Sequence, residues 1–238
     1  MKTRSFVCLA TFASVMATSQ AMAGVLAQDQ LCVIYDGVRG QTIDTNVVIG
    51  ESWDTATRTT GFLARPAGLL KMNYTQKAGS IRAFCAEFDQ ALATDAVCYI
   101  KTDVADLPST APMGDLRAAV IANHYYHNYS SVMNDDSGNI NAAFQLVLWE
   151  ISEEGWDGTT LSQLNLTTGA MQFQSDNADV NNATAAMLGN LTNNPGERMA
   201  LNGWTDPNSQ DIITVVPGPS IALAGALGLA GLRRRRRN

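Results

Sequence analysis

The sequence predicts an α+β fold: a β-rich lobe, sandwich or barrel-like, followed by a helical part and a closing strand. Three observations predict it. Short β-prone runs separated by turn residues fill the first half. Helical periodicity takes over from Asp115 onward, and a strand-like run returns at Ile212–Val216.

In the first half, Leu31–Tyr35, Asn46–Ile49, Thr60–Leu63, Leu70–Tyr74, Ile81–Phe88 and Ala96–Lys101 are runs of strand length. Stretches such as Asp36-Gly37 and Ala78-Gly79-Ser80 break them. Alternation along Ile81–Phe88 places Arg82, Phe84, Ala86 and Phe88 on one face, and Ile81, Ala83, Cys85 and Glu87 on the other. This lobe runs from about Val25 to Lys101, and the helical part continues to about Leu201. In the latter, Asp115–Tyr129 repeats Leu116, Ala119, Val120, Asn123 and His127 on one side. The polar run Asn134–Asn139 stops that helix. Ile140–Ile151 is apolar on nearly every side, the pattern of a central buried helix, and it carries a single Gln, Gln145. Asp179–Leu191 offers a third helix with Ala183, Met187 and Leu191 in register.

The two ends have a different character. Lys2 and Arg4 precede an apolar, small-residue stretch from Ser5 to Thr18, and Ala21-Met22-Ala23 supplies a small-x-small cleavage site. That order is a secretory signal peptide over residues 1–23, cut by signal peptidase, which removes Cys8. At the other end, residues 215–238 run from Val215 through Pro217-Gly218-Pro219 and the uncharged Ile221–Leu232 to Arg233–Arg237. The apolar part is near the lower limit for a spanning helix, and the Arg cluster keeps the preceding chain outside. This tail resembles the PEP-CTERM sorting signals, which join a Pro-containing motif, a short transmembrane segment and a basic end. The resemblance implies an exosortase-type membrane protease as a processing partner, and export to the cell envelope or surface through an initial membrane anchor. The motif here reads VPGPS, without the glutamate that the family carries between prolines.

Between the ends, residues 24–214 form the extracellular domain. Removing Lys2, Arg4 and Arg233–Arg237 leaves 9 basic against 22 acidic residues, a net charge of −13 compared with −6 for the whole chain. So acidic a surface argues against nucleic acid or anionic lipid as partners of the domain. The mature part holds Cys32, Cys85 and Cys98, an odd number for an oxidising compartment. One intramolecular disulfide at most can form, and Cys32–Cys98, Cys85–Cys98 and Cys32–Cys85 are all open.

Two segments carry the candidate chemistry. One is Phe84-Cys85-Ala86-Glu87 on a strand; the other is Phe144-Gln145-Leu146-Val147-Leu148-Trp149 on the buried helix. A Gln in so apolar a helix needs a partner, because a buried unpaired amide costs about 1–3 kcal/mol. These segments resemble the thioester domains of bacterial surface adhesins, in which a strand cysteine stands in an aromatic-Cys-x-acid context. In those domains the helix reads Gln-x-x-x-Trp, and the cysteine sulfur is joined to the glutamine side-chain carbonyl. The resemblance implies Cys85 as the sulfur and Gln145 as the acyl donor, with Trp149 beside Gln145 at i+4; by their apolar rings Phe84 and Trp149 are expected to keep water from such a bond. Residue 144 is Phe where the adhesins show Thr or another small polar residue.

A thioester lacks amide resonance, so amines attack it. Forming it needs a proton acceptor near the sulfur, and His124 and His127, the only two histidines, are the candidates. Phe144 and the Tyr125-Tyr126 pair join the expected shield against water. The first expectation is therefore a surface protein that attaches covalently to amines on a surface or matrix, in one stoichiometric transfer rather than as an enzyme. The second is a structural envelope or exopolysaccharide-matrix protein of the same fold, with Cys85 in a disulfide and Gln145 a hydrogen-bonded core amide.

Other chemistries find little. Asn134–Asn139 is oxygen-rich, but its Gly falls one place early for a calcium loop and no Glu follows at the right distance. Glu150, Glu153 and Glu154 have nothing to place two of them across a glycosidase cleft. Two histidines without a His-Glu-x-x-His pattern give no zinc site, and no cofactor fingerprint appears.

Overall fold

The computed structural model describes residues 29–38, 43–49, 61–88, 90–167 and 171–217. The expected signal peptide, Gly218, Pro219, the apolar sorting segment and the Arg cluster lie outside them. Among the described residues no helix is long and apolar enough to cross a membrane.

The fold is α+β and rich in β structure. Six strands close into a barrel in the order β1 (Gln30–Val38), β4 (Leu70–Tyr74), β5 (Ser80–Cys85), β9 (Ser209–Val215), β8 (Leu201–Asp206), β6 (Val97–Thr102). A second sheet holds β3 (Gly61–Ala67), β2 (Ile43–Ile49) and β7 (Met171–Gln174), in that order. Every pairing is antiparallel. The period of two is visible in β1, where Leu31 and Val33 are buried while Ile34 is exposed. In β6, Tyr99 points inward and its hydroxyl meets Ser209 Oγ at 2.8 Å, so its polar end is satisfied inside the barrel. Gly37, at φ +94°, sits where the β1–β4 register breaks between Tyr35 and Val38, a conformation that side chains resist.

Cys32 and Cys98 face each other across β1 and β6 and form a disulfide. The bond spans 66 residues of chain and ties one edge of the barrel closure. Replacing both cysteines by alanine is expected to cost about 2–4 kcal/mol through the freer unfolded chain. Urea unfolding of the double variant beside the oxidised protein checks this.

Among the described residues there are three α-helices, α1 (Gly114–Asn134), α2 (Asn139–Glu153) and α3 (Ala178–Gly189), the last packed on α2. The first buries Val120, Ile121, His124, Tyr125, Asn128 and Val132, one helical stripe. The second buries every residue from Asn141 to Glu153, because it runs between α1 and α3 and also touches β3, β5 and β7. The oxygen-rich turn before it is a helix cap. Asp135 Oδ2 accepts from Ile140 N at 2.9 Å and Asn141 N at 3.1 Å, satisfying amides that the first turn leaves over. The three glutamates at the other end of α2 face separate stretches of main chain. Glu150 accepts from Asn165 N at 2.6 Å, Glu153 from Phe88 N at 3.3 Å and Glu154 from Met171 N at 3.0 Å.

Most elements are longer or shorter than expected by a few residues, and the differences that bear on the site are these. The strand expected over Ile81–Phe88 ends at Cys85. Beyond it, Glu87 turns inward to accept from Asp211 N at 2.7 Å, and Phe88 N turns to Glu153. Side-chain partners there replace a ladder. Strands β7 and β8 were not expected; β8 pairs with both β6 and β9 and completes the barrel. Finally, β9 begins at Ser209, three residues before the expected Ile212.

Candidate functional site

The site grows from a mismatch of strand lengths. Leu70, the first residue of β4, lies opposite Ala83, so β4 offers no partner to Cys85 two residues further along β5. On its other side β5 is held by β9, with Cys85 opposite Ile212. The amide and carbonyl of Cys85 point away from β9 and would be orphaned in the core. Gln145 of α2 takes both. Cys85 N donates to Gln145 Oε1 at 2.9 Å, and Gln145 Nε2 donates to Cys85 O at 2.8 Å. A single carboxamide stands in for the missing strand, and both residues are nearly inaccessible, at 6% and 1% exposure.

A pocket of about 220 Å³ opens onto this pair. Its walls include Tyr35, Leu70, Phe88, Leu92 and Trp149, with the amides of Gln90 and Gln210 beside them. Trp149 follows Gln145 by one helical turn, so it stands over the same face. Its Nε1 donates to Glu87 O at 3.0 Å, and its ring meets Phe88 edge to face at 5.3 Å. The Gln210 amide reaches the same Glu87 carbonyl. The stretch after Cys85 is thereby fixed by side chains from α2 and β9.

Phe84, the next residue back on β5, faces the other way. Its ring lies tilted against Phe144, 4.4 Å between centroids, and meets Tyr125 edge to face at 6.1 Å. These aromatics seal the rear of the Cys85–Gln145 pair, while Trp149 and Phe88 wall the front. Tyr126 does not join the shield: it is 50% exposed.

The histidines are placed apart from the sulfur. His124 is fully buried and stacks on Phe144 at 4.0 Å. Its Nε2 lies 3.1 Å from Phe144 O and its Nδ1 3.2 Å from Asn128 Nδ2. A carbonyl can only accept and an amide nitrogen can only donate, so the ring is neutral with its proton on Nε2. Burial drives its pKa down to about 3 against the Phe144 bond, which favours the charged form. Both nitrogens are therefore committed. His127 lies outside, with Nε2 3.0 Å from Glu197 Oε2. Neither lines the pocket, which corrects the expectation that one of them serves Cys85.

The Cys85 thiol is free of disulfides. Burial, with the Glu87 carboxylate adding to it, pushes its pKa well above the usual thiol range. Burial and then the nearness of Cys85 raise the phenol of Tyr35, which stands at the same pocket. Tyr35 and Gln210 are site residues that sequence reasoning missed. Tyr35 was legible only as the end of a strand, and Gln210 lies just outside the strand expected at Ile212–Val216.

A larger, more open cleft of about 640 Å³ lies between the start of α1 and the loop at Trp156. Its one basic side chain, Arg117, is spent on the carbonyls of Ser152 and Trp156, at 3.0 and 2.7 Å. No reactive pair faces it. Among the described residues no group of three His, Cys, Asp or Glu side chains could hold a metal ion.

No protein-family model matches this chain, and neither a curated protein nor a solved structure matches it.

Proposed function

We propose that the chain is an exported surface protein whose Cys85 and Gln145 condense to an internal thioester, an acyl donor for amines on a neighbouring surface or matrix. The observation that carries this reading is the pairing of the Gln145 carboxamide with the main chain of Cys85 itself. The attacking sulfur and the amide it would attack thus belong to residues locked together before any chemistry. Attack of Sγ on Cδ builds negative charge on Oε1, where Cys85 N already donates. As the C–N bond breaks, Nε2 leaves as ammonia and takes up the thiol proton, which balances the reaction. Phe84, Phe144, Phe88 and Trp149 keep water from the bond. The transfer is stoichiometric, so the protein is not an enzyme in the turnover sense.

Export rests on the two ends of the sequence: a signal peptide for signal peptidase, and a PEP-CTERM-like tail that holds the chain in the membrane until an exosortase-type protease acts. A second reading is a structural envelope or exopolysaccharide-matrix protein without the bond. It is favoured by one fact: Gln145 already satisfies Cys85 through hydrogen bonds alone.

Intact mass separates the two. The unreduced mature protein is expected to weigh one ammonia less than its sequence with the Cys32–Cys98 disulfide, and methylamine is expected to add at Gln145. A mass that lacks only the two disulfide hydrogens, with a Cys85 thiol that alkylates only on unfolding and no methylamine adduct, sinks the adhesive reading.

A further inference from the structure

We infer that the Tyr35 hydroxyl is the proton relay of the Cys85–Gln145 pair, taking the thiol proton and handing its own to the departing nitrogen. This rests on the thioester reading of the same pair.

Condensation must move one proton from Sγ to Nε2, and acyl transfer must move one from the incoming amine back to Sγ. Direct transfer closes a small, strained ring of Cδ, Sγ, hydrogen and nitrogen. A hydroxyl set between sulfur and nitrogen accepts one proton while donating another, and so widens that ring. Water would serve, but water at the bond also hydrolyses it. A hydroxyl of the protein has no such cost.

The structure narrows the choice of group. His124 and His127 do not line the pocket. Glu87 is buried with Oε1 held by Asp211 N at 2.7 Å, and it does not line the pocket either. Among the described residues that do, only Tyr35 and Cys85 carry a titratable side chain. Tyr35 comes to the pair through the same short strand that leaves Cys85 to Gln145. It lies on β1 opposite Met72, and β4 stands between β1 and β5 in the barrel. That strand begins at Leu70, which faces Val38 on one side and Ala83 on the other. Beyond Leu70 both ladders stop, and Gly68, Leu70, Tyr35 and Cys85 all line the pocket. Burial and then the nearness of Cys85 raise the phenol, while burial and then Glu87 raise the thiol. Both groups stay protonated, so the proton passes between neutral partners and no buried ion is needed.

As Sγ attacks Cδ, its proton passes to Tyr35 Oη while the phenol proton passes to Nε2. The C–N bond breaks, ammonia leaves and the phenol is restored. When a primary amine opens the thioester the order reverses. The amine nitrogen gives a proton to Oη, Oη gives its own to Sγ, the C–S bond breaks and the Cys85 thiol returns.

Tyr35→Phe keeps the ring in the pocket wall and removes the hydroxyl alone. Intact mass follows methylamine addition to the unreduced mature protein in water and in D2O. The wild type is expected to react more slowly in D2O, because protons are in flight as the bonds change. Tyr35→Phe is expected to react on the order of a hundredfold more slowly than the wild type, with a smaller D2O effect and an unchanged urea midpoint. A ring that only shaped the wall would leave the D2O effect as it is in the wild type. That result, or a variant that reacts at the wild-type rate, overturns the relay and leaves the thioester standing. Where the variant holds too little of the bond to follow, the wild type decides alone: equal rates in the two solvents overturn the relay, and a slower rate in D2O supports it. A wild type with neither the missing ammonia nor a methylamine adduct overturns the thioester reading, and the relay with it.

Discussion

In a Cys85→Ala background, Gln145→Ala is expected to lower the free energy of unfolding by about 2–5 kcal/mol. The background matters because it abolishes the thioester while keeping the main chain at position 85. With alanine there, the N–H and C=O that Gln145 pairs at 2.9 and 2.8 Å are still present and still buried. Removing Gln145 then orphans a donor and an acceptor together, at about 1–3 kcal/mol each. Cys85→Ala alone removes only a small buried sulfur and is expected to cost about 1 kcal/mol. On the proposed reading both single variants lose all reaction with methylamine, so chemistry does not distinguish them and stability does. Gln145→Glu falls between in shape and fails for another reason. A carboxylate still accepts from Cys85 N but sets a second acceptor against Cys85 O, and that variant is also the product of thioester hydrolysis. Urea titrations of the four proteins check the set. Equal midpoints for Cys85→Ala and the double variant would show that the pairing holds no structure together.

The second large effect is on pH. His124 stays neutral in the folded chain down to about pH 3, whereas unfolded it titrates near 6.5. Below 6.5 the unfolded chain binds a proton that the folded chain does not, so stability is lost as pH falls from about 6.5 to 3. Glu150 behaves oppositely. Burial first, and then the neighbouring Glu154, raise its pKa from 4.5 to about 9, although Asn165 N opposes them. Folded, it holds a proton that the unfolded chain releases above about 4.5, so stability is lost as pH rises towards 9. Each group alone is worth on the order of 4–6 kcal/mol, of which about 2 kcal/mol shows as an acid limb from pH 4.5 to 3 and about 3 kcal/mol as an alkaline limb from pH 6.5 to 9. Between pH 4.5 and 6.5 the two slopes cancel, and stability is expected to be greatest there. Glu150→Gln keeps an oxygen for Asn165 N and is expected to flatten the alkaline limb only. His124→Gln is expected to flatten the acid limb only. Unfolding midpoints measured from pH 3 to 9 for the three proteins test both slopes; an unchanged alkaline limb in Glu150→Gln overturns the assignment.

Much of the architecture was legible in local pattern. The apolar character of Ile140–Ile151 on every side announced a helix enclosed by other elements, and α2 is that helix. Gln145, among the apolar residues at its centre, called for a partner, and the main chain of Cys85 is that partner. What was hidden depends on contacts distant in sequence. Strand β8 carries Asn202, Gly203, Thr205 and Asp206, a polar set without a clear apolar face, and it is a strand because β6 and β9 flank it. Its one local sign was Asp206-Pro207-Asn208-Ser209, turn chemistry ahead of the run that becomes β9. The histidines were misread for a similar reason. Their position before the Gln helix was visible, but the carbonyl of Phe144 and the amide of Asn128 that fix His124 are properties of packing. Strand β5 was overextended because side-chain anchoring by Glu153 and Trp149 leaves no trace in alternation.

The position of β9 has a mechanical consequence. Its last residue, Val215, lies at the C-terminal end of the barrel, and β9 is bonded along both edges, to β5 and to β8. A pull on that end along the strand loads both rows of hydrogen bonds in shear, so they must fail together rather than one after another. The path from there to the reactive pair is short, because Cys85 faces Ile212 across the β5–β9 ladder. On the proposed reading, a molecule held by its C-terminal side and by a bond at Gln145 carries tension through two strands and the face of one helix. The remaining helices and the second sheet stand outside the line of force.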